Sequence, residues 1–328
     1  MDPTDTLTYD VCIVGAGPAG LATLSALRSP YTLDSFSMSA SQVHRANKTM
    51  NQTKKCLQQR IVVVDTNSHW MQTWQDQFEF LGIDYLRSPV LAHPDLFDSN
   101  ALLSFAVQRD RTDELLESGC FAMKHLLALG ESQIGLWKLP STKLFVDFCL
   151  DLADQLPHTF VGKTRVVDIV DASPGKLRGT KPTLFGLELQ SDDGSITTIQ
   201  AKSVVLALGP VGHPVVPETI QETPNWRFWN QKEWAKHNEE EEDKVTVKKA
   251  SVEKDTTEEE DPIMVLGGGL TAVQVALKIV EEQKQLCILC SRRPLVEQHF
   301  DIPVEWFDRR TTNRCMSCLL YTSPSPRD

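Results

Sequence analysis

Two glycine-rich segments carry residue types whose spacing could hold a phosphate group. The first is Gly15-Ala16-Gly17-Pro18-Ala19-Gly20, and the second is Gly267-Gly268-Gly269-Leu270-Thr271-Ala272. In the pattern G-x-G-x-x-G/A, the first glycine permits a tight turn and the second lets backbone approach a pyrophosphate. The third position packs a helix against a strand. We call these segments the first and second fingerprints, and predict that residues 15–20 and 267–271 bind dinucleotide cofactors.

Each fingerprint lies in the sequence context that the pattern requires. The predicted strand Tyr9-Asp10-Val11-Cys12-Ile13-Val14 precedes the first fingerprint, and a helical pattern over residues 21–27 follows it. Residues 263–266 and 272–282 flank the second fingerprint in the same way. This strand–turn–helix order makes the pattern much more specific than glycine spacing alone. The sequence therefore predicts two dinucleotide-binding units in one chain.

The first unit also needs an acidic residue at the end of its second strand to bind ribose hydroxyls. Asp34 has the usual spacing of about 20 residues, but residues 30–33 before it make a poor strand. Asp65 directly follows Ile61-Val62-Val63-Val64, a continuous apolar run of the kind that parallel sheets bury. We therefore predict that Asp65 binds the ribose and that the polar residues 29–59 form an inserted surface loop.

The second unit carries different residues at the corresponding place. Residues 286–290 predict a buried strand, and Ser291-Arg292-Arg293 follows it where an acid would otherwise stand. Arginine accommodates the 2′-phosphate that distinguishes NADP from NAD. Arg292 and Arg293 therefore predict a preference for NADPH.

The rest of the chain predicts further elements of an α/β fold. Helical patterns lie near residues 115–129 and 142–156, and residues 203–208 predict a buried strand that ends at Gly209. Alternation over residues 164–169, 184–190 and 196–200 predicts a small antiparallel sheet, with a hairpin turn at 192–194. Trp70, Trp74 and His93 are candidates for lining a cofactor site, although core packing is the favoured interpretation of both tryptophans.

Length and charge limit the class of protein. The chain has 328 residues, of which 41% are hydrophobic and 23% charged, which predicts two globular domains. It has no apolar run of roughly 18 residues and no signal-peptide pattern at its start, so we expect a cytoplasmic protein without a membrane partner. Residues 238–261 contribute −7 of the net charge of −11 and predict a disordered loop. The remaining −4 argues against nucleic-acid binding.

Four cysteines have the outline of a zinc site, Cys287-x-x-Cys290 with Cys315-x-x-Cys318. Side chains three residues apart on a strand point to opposite faces, so the first pair would chelate poorly. Residues 318–328 match the in-frame translation of an adapter used in transposase-based sequencing libraries, which predicts an artefact. We therefore predict no metal site, and we expect the natural sequence to continue past Ser317.

The chain resembles the two-dinucleotide-binding flavoproteins. Within that class it is similar to the lysine and ornithine N-monooxygenases and to the oxidative-stress-induced growth inhibitor proteins. The resemblance rests on the two fingerprints and on residues 86–95, 206–210 and 291–293. It implies an α/β fold with two Rossmann-like domains in three layers, with parallel sheets and a small antiparallel sheet. FAD would bind in residues 1–210, with Gly209 among its ligands, and NADPH in an inserted, incomplete domain over residues 211–317.

The resemblance further implies a small-molecule substrate and O₂, with one oxygen atom transferred through a flavin hydroperoxide. No catalytic residue is assigned, because the cofactor supplies that chemistry. The chain lacks the F-x-G-x-x-x-H-x-x-x-[FY] segment of flavin-containing and Baeyer–Villiger monooxygenases, and it lacks a C-x-x-C pair on the helix after the first fingerprint. A reductase or oxidase without oxygen insertion, and a non-catalytic flavin-binding growth or stress regulator, stay open as alternatives.

Overall fold

The computed structural model describes residues 7–28, 58–96, 98, 100–117, 137–173, 183–209, 218–222 and 262–296. The chain divides into two compact units. The described part of the first unit lies within residues 7–75 and 84–209, and that of the second within residues 76–83 and 218–296. Asp34, the disordered loop predicted over residues 238–261 and the segment 318–328 lie outside the described residues.

The first unit is built around one six-stranded sheet. Its elements in chain order are β1 (Thr8–Val14), α1 (Pro18–Arg28), β2 (Ile61–Val64), α2 (Gln72–Phe80), α3 (Ala101–Gln108), a 3₁₀ turn (Thr112–Glu114), β3 (Leu115–Leu116), β4 (Leu139–Pro140), α4 (Thr142–Gln155), β5 (Thr159–Val161), β6 (Thr164–Asp171), β7 (Phe185–Ser191) and β8 (Ile196–Leu206). Helix α2 begins in this unit and ends in the second.

The sheet joins a parallel half to an antiparallel half. Its strand order is β5-β2-β1-β8-β7-β6. Strands β5, β2, β1 and β8 are parallel, with Val11 opposite Ile61 and Val14 opposite Leu206. Strands β6, β7 and the first part of β8 pair antiparallel. The predicted α/β fold class is confirmed.

The centre of the first unit is fully apolar. In β1, Cys12 and Ile13 have no exposed surface, and neither do the three valines of β2. A parallel strand in the middle of a sheet is covered on both faces, so every position rather than every second one must be apolar. This requirement explains why residues 61–64 form a continuous apolar run.

Strand β8 differs from the prediction in two ways. The residues predicted as two strands, 196–200 and 203–208, form one strand of 11 residues that ends at Leu206. Its first part pairs with β7 and its second part with β1. The predicted burial of the second part was wrong, because Leu206 and Leu208 are 59% and 43% exposed. An apolar run is buried only where other elements cover both faces, which the run itself does not specify.

Two helical predictions also need correction. The pattern near residues 115–129 was predicted as helix, but Leu115 and Leu116 form β3, which pairs antiparallel with β4. Residues 118–136 lie outside the described residues. Helix α4 follows its prediction, and the Ser141 hydroxyl caps it by accepting from the Leu144 N–H at 2.9 Å. Helices α2 and α3 were not predicted.

The second unit contains a shorter strand–turn–helix–strand arrangement. Its elements are α5 (Glu218–Gln221), β9 (Ile263–Leu266), α6 (Leu270–Lys278), a π-helical turn (Ile279–Gln283) and β10 (Cys287–Cys290). Strands β9 and β10 are parallel, with Cys287 opposite Ile263. The prediction of a buried strand over residues 286–290 was wrong, because alternate residues of β10 are exposed, Ile288 among them. No helix of the described residues is long and apolar enough to span a bilayer.

Candidate functional site

Gly15 and Gly20 are required by packing within the first fingerprint. Gly15 has a φ of +113°, and a Cβ added there would lie 2.2 Å from the Ala207 carbonyl oxygen. A Cβ at Gly20 would lie 2.0 Å from the Gly15 carbonyl oxygen. Both contacts are with backbone, which cannot turn away as a side chain can. Glycine at position 15 therefore lets the turn approach the residue after β8, and glycine at position 20 lets helix α1 approach the turn.

Gly17 is different because, among the described residues, no atom other than those of its chain neighbours and its own helix lies within 4 Å of a Cβ built there. Its carbonyl accepts the first hydrogen bond of α1, from the Leu21 N–H at 3.0 Å. Pro18 is the first residue of α1, where a missing N–H costs nothing, and Ala19 is exposed beside it. The space beside Gly17 thus adjoins a helix N-terminus, where phosphate groups bind. We call this open space beside Gly17 the first cradle, and it fits a pyrophosphate.

Both polar groups of the Ala16 backbone are held by the segment that follows β2. The Asp65 carboxylate accepts from the Ala16 N–H at 2.6 Å, and the Met71 N–H donates to the Ala16 carbonyl at 2.8 Å. Asp65 is the residue directly after β2, at the same edge of the sheet as the first fingerprint. Met71 is buried and has a φ of +65°, an uncommon conformation for a residue with a side chain. The N–H and the carbonyl of Ala16 are therefore both hydrogen-bonded, which fixes the backbone of the turn.

Trp70 packs against the first fingerprint beside Gly20. It is buried, and its ring lies 3.6 Å from a Cβ built at Gly20. Its indole N–H donates to His158 Nε2 at 3.1 Å, and His158 Nδ1 lies 2.7 Å from the Leu156 carbonyl. Because a carbonyl only accepts, Nδ1 is the donor in this contact. Trp70 is a packing residue in this arrangement.

The other two aromatic candidates pack on helix α4. Trp74 lies 5.3 Å from Phe145 between ring centroids, and His93 lies 5.4 Å from Phe148. Gly209 follows β8 with a φ of +66° and is exposed, with open space at its Cβ position. Gly209 thus has the backbone conformation of a turn glycine, and nothing in the described residues packs against its Cβ position.

The second fingerprint repeats the backbone geometry of the first. Gly267 has a φ of +151°, and its N–H donates to the carbonyl of Cys290 at 2.9 Å. The Gly269 carbonyl accepts the first hydrogen bond of α6, from Val273. Apart from its chain neighbours and its own helix, no described residue has an atom within 4 Å of a Cβ built at Gly269. Leu270 and Thr271 form the exposed first turn of α6. Gly269 therefore presents a second open cradle at a helix N-terminus.

The Ser291 hydroxyl occupies the space beside Gly268, the second residue of the second fingerprint. A Cβ at Gly268 would lie 2.1 Å from the Ser291 hydroxyl oxygen. That hydroxyl donates to the Arg293 carbonyl at 2.7 Å, which shapes the turn that carries both arginines. Arg292 and Arg293 are exposed. Ser291 was not among the predicted site residues, and its signal was its position directly after β10.

The pattern of the pyridine nucleotide-disulphide oxidoreductase family matches residues 9–318. The chain belongs to this family. Its members are FAD- and NAD(P)-binding oxidoreductase enzymes, and the match covers both fingerprints. No curated protein matches the sequence.

Solved structures share the fold of this family member. The ornithine N-hydroxylase KtzI of Kutzneria sp. 744, described with reduced FAD, NADP⁺ and L-ornithine, superposes with a TM-score of 0.55 at 15% identity. The superposition covers 98% of this chain and 61% of the hydroxylase. The ornithine hydroxylase PvdA of Pseudomonas aeruginosa gives a TM-score of 0.54 at 14% identity, covering 91% of this chain and 58% of that one. The chain thus spans about three fifths of the length of these enzymes.

The family name includes disulphide oxidoreductases, but the described part of this chain contains no dithiol suited to disulphide chemistry. Burial raises the pKa of the Cys12 thiol to about 12 and also raises the pKa of Cys149. A thiol that stays protonated is a poor nucleophile. Cys287 is half-buried and Cys290 exposed on β10, three residues apart and therefore on opposite faces. Cys315 and Cys318 lie outside the described residues.

Proposed function

We propose that this chain is an FAD- and NADPH-dependent monooxygenase of the N-hydroxylating type. Residues 1–210 are the FAD domain in this proposal, and residues 211–317 are the NADPH domain. The observation that carries the proposal is the pair of open cradles at Gly17 and Gly269, each at a helix N-terminus and each beside a different strand-end residue.

The first cradle is assigned to FAD because an acid stands beside it. The Asp65 carboxylate is held at the turn by the Ala16 N–H, at the edge where the adenosine ribose of a dinucleotide lies. Carboxylate oxygens accept from ribose hydroxyls but repel a 2′-phosphate. FAD has free 2′- and 3′-hydroxyls on its adenosine ribose and no 2′-phosphate, so this site suits FAD.

The second cradle is assigned to NADPH because the acid is replaced. Ser291 occupies the position after β10 that Asp65 occupies after β2, and two exposed arginines follow it. A guanidinium binds phosphate through paired hydrogen bonds. Gly267, Gly268 and Gly269 would approach the pyrophosphate, with Leu270 and Thr271 in the first helical turn.

The proposed reaction uses NADPH as reductant and O₂ as oxidant. Overall, NADPH, H⁺, O₂ and a primary amine would give NADP⁺, water and the N-hydroxylated amine. When bound, FAD supplies the electron transfer and oxygen activation. The protein residues bind and orient the two dinucleotides. The absence of a reactive dithiol in the described residues favours this chemistry over disulphide reduction.

The test makes three measurements on one sample. The purified protein, loaded with FAD, is given NADPH, O₂ and L-ornithine or L-lysine, and NADPH oxidation, O₂ uptake and hydroxylamine are measured. We expect the amount of hydroxylamine formed to be proportional to the amount of NADPH oxidised. NADPH oxidation that yields only hydrogen peroxide across a panel of amines would favour the reductase or oxidase alternative. Bound FAD with no NADPH-driven O₂ uptake would favour the non-catalytic regulator.

A further inference from the structure

Asn67 makes an unusual pair of contacts with the acid beside the first cradle. Its backbone N–H donates to Asp65 Oδ1 at 2.7 Å, and its side-chain amide donates to the same oxygen at 2.8 Å. The backbone bond alone is the ordinary contact of an aspartate two residues before its donor. The side-chain bond is additional, and it depends on asparagine at position 67.

The orientation of the Asn67 amide is set by acceptors on both sides. A carboxylate only accepts hydrogen bonds, so the amide nitrogen rather than the oxygen faces Asp65. The same nitrogen donates to the Thr73 hydroxyl oxygen at 2.7 Å, in the first turn of α2. Both amide hydrogens are thereby used.

The backbone of Asn67 is anchored separately to the corner between β5 and β6. Its carbonyl accepts from the Lys163 N–H at 2.9 Å. A Cβ at Gly162 would lie 2.7 Å from that carbonyl oxygen, so glycine is needed for this approach. Asn67 is thus held from α2 and from the sheet corner, and it can impose a position on the Asp65 carboxylate.

The carboxylate of Asp65 is left with little unused capacity. A carboxylate offers about four acceptor positions. Ala16 takes one at Oδ2, and Asn67 takes two at Oδ1. One position then remains for a ribose hydroxyl, and its direction is fixed because the rotamer is fixed.

We propose that Asn67 is a positioning residue of the cofactor site. It holds Asp65 in the rotamer in which the carboxylate accepts from the Ala16 N–H of the first fingerprint and from a ribose hydroxyl. This inference rests on the proposed binding of FAD at the first fingerprint. It predicts that Asn67 affects FAD binding only through Asp65, and only for ligands that have ribose hydroxyls.

A double-mutant cycle tests that dependence. FAD dissociation constants are measured for the protein and for Asn67→Ala, Asp65→Asn and the double variant. Losing one hydrogen bond to a charged group should raise the constant about tenfold in Asn67→Ala. The same change should have less than about a twofold effect in the Asp65→Asn background, because coupled residues are not additive. Additive effects would overturn the proposal.

A second readout separates positioning from a general structural role. The protein should bind ADP more tightly than 2′,3′-dideoxy-ADP, and Asn67→Ala should remove most of that preference. Asn100→Ala is the matched control, because the Asn100 N–H also donates to an aspartate two residues earlier, Asp98, in an exposed segment. An unchanged ADP preference in Asn67→Ala would contradict the inference.

The remaining outcomes are also decided. If Asn67→Ala does not fold, Thr73→Val removes only the outer anchor of the amide, and should weaken FAD binding about threefold at an unchanged melting temperature. No weakening in that folded variant would overturn the proposal. If the unaltered protein binds no FAD, the proposed function and this inference both fail, whereas FAD binding with an additive cycle removes this inference alone.

Discussion

In the first unit the Gly15 N–H donates to the carbonyl of Val64, the last residue of the neighbouring strand, and in the second unit the Gly267 N–H donates to Cys290 in the same way. Gly17 and Gly269 both accept the first hydrogen bond of the following helix. These bonds belong to the backbone and follow from the strand–turn–helix order. The shared part of the two units is therefore the part that fits a pyrophosphate.

The two units differ at the residue directly after the second strand. Asp65 reaches the N–H of Ala16, whereas Ser291 lies against Gly268, the equivalent position of the second fingerprint. One site thus carries a carboxylate and the other a hydroxyl followed by two arginines. In the proposed assignment, the residues directly after the second strand of each unit decide which cofactor binds, while the glycines would bind the pyrophosphate of either cofactor.

The units also differ in how deeply their helices are buried. In α1, Gly20, Leu21, Leu24 and Ser25 are buried, along with Arg28, whereas in α6 only Val275 is. Strands β9 and β10 likewise expose alternate residues. Substitutions at equivalent places should therefore cost much more in the first unit than in the second.

The largest effect is expected at the first glycine of each fingerprint. Gly15→Ala combines backbone strain with an overlap at 2.2 Å and should lower the free energy of unfolding by about 4 kcal/mol. Gly267→Ala meets only the Ala272 side chain at 3.0 Å and should cost about 2 kcal/mol. Urea unfolding followed by circular dichroism measures both. Equal costs would show that the close approach to Ala207 is not a constraint.

A somewhat smaller effect is expected from the cores beneath the helices. Leu24→Ala removes a fully buried side chain from α1 and should cost about 3 kcal/mol. Leu277→Ala, at a position of α6 that is 48% exposed, should change the free energy of unfolding by less than about 0.5 kcal/mol. Thermal unfolding of the two variants provides the comparison. A destabilised Leu277→Ala would mean that this face of α6 is covered in the folded protein.

Replacing the arginines should change cofactor preference rather than stability. Arg292→Ala with Arg293→Ala should reduce the ratio of NADPH to NADH affinity by about tenfold to a hundredfold, because only NADPH has a 2′-phosphate to lose contact. Isothermal titration with each nucleotide measures this ratio. Arg165→Ala is the control, since Arg165 is an exposed arginine of the first unit. An unchanged ratio in the double variant would remove the basis for the NADPH assignment.

The smallest effect concerns the ion pairs. The Arg111 guanidinium holds the pKa of Glu114 below its usual value of 4.5, and the Ser141 hydroxyl also lowers it. A lowered folded-state pKa stabilises the fold above about pH 4.5, and this contribution is lost as the pH falls through the folded-state value. Glu114→Gln should cost about 1 kcal/mol at pH 7 and less than that at pH 3. Glu282→Gln, which breaks a helical pair with Lys278 in the second unit, should cost less than about 0.5 kcal/mol.

Urea unfolding at pH 7 and pH 3 decides this last point. If Glu114→Gln were destabilised equally at both pH values, the loss would come from packing and not from the charged pair with Arg111.

The features that local sequence determines were predictable. The fingerprints, β1, β2, α1 and α4 follow from apolar runs, glycine spacing and helical patterns, all of which involve residues close in the chain. The burial of β10 and of the end of β8 was predicted wrongly, because exposure depends on which other elements cover a face. Helix α2 has no buried residue, and its apolar pair at helical spacing, Trp74 and Phe78, was not recognised as a helical pattern.

The contacts that shape the site were mostly unpredictable for the same reason. Asp65 could be selected because it ends an apolar run, but its bonds to Ala16 and Asn67 depend on how the turn and the next segment meet in space. The need for glycine at positions 162 and 268 arises from the Asn67 carbonyl and the Ser291 hydroxyl, which approach from distant parts of the chain. No pattern within a short window contains that information.

The most direct test of the assigned sites compares Gly17→Val with Gly269→Val. Both positions have open space at Cβ, so both variants should keep the melting temperature of the cofactor-free protein. Gly17→Val should lose FAD but keep NADPH binding, and Gly269→Val should do the reverse, because each side chain fills one cradle. FAD is measured by its absorbance after gel filtration and NADPH by titration. Undiminished FAD in a folded Gly17→Val protein would contradict the account.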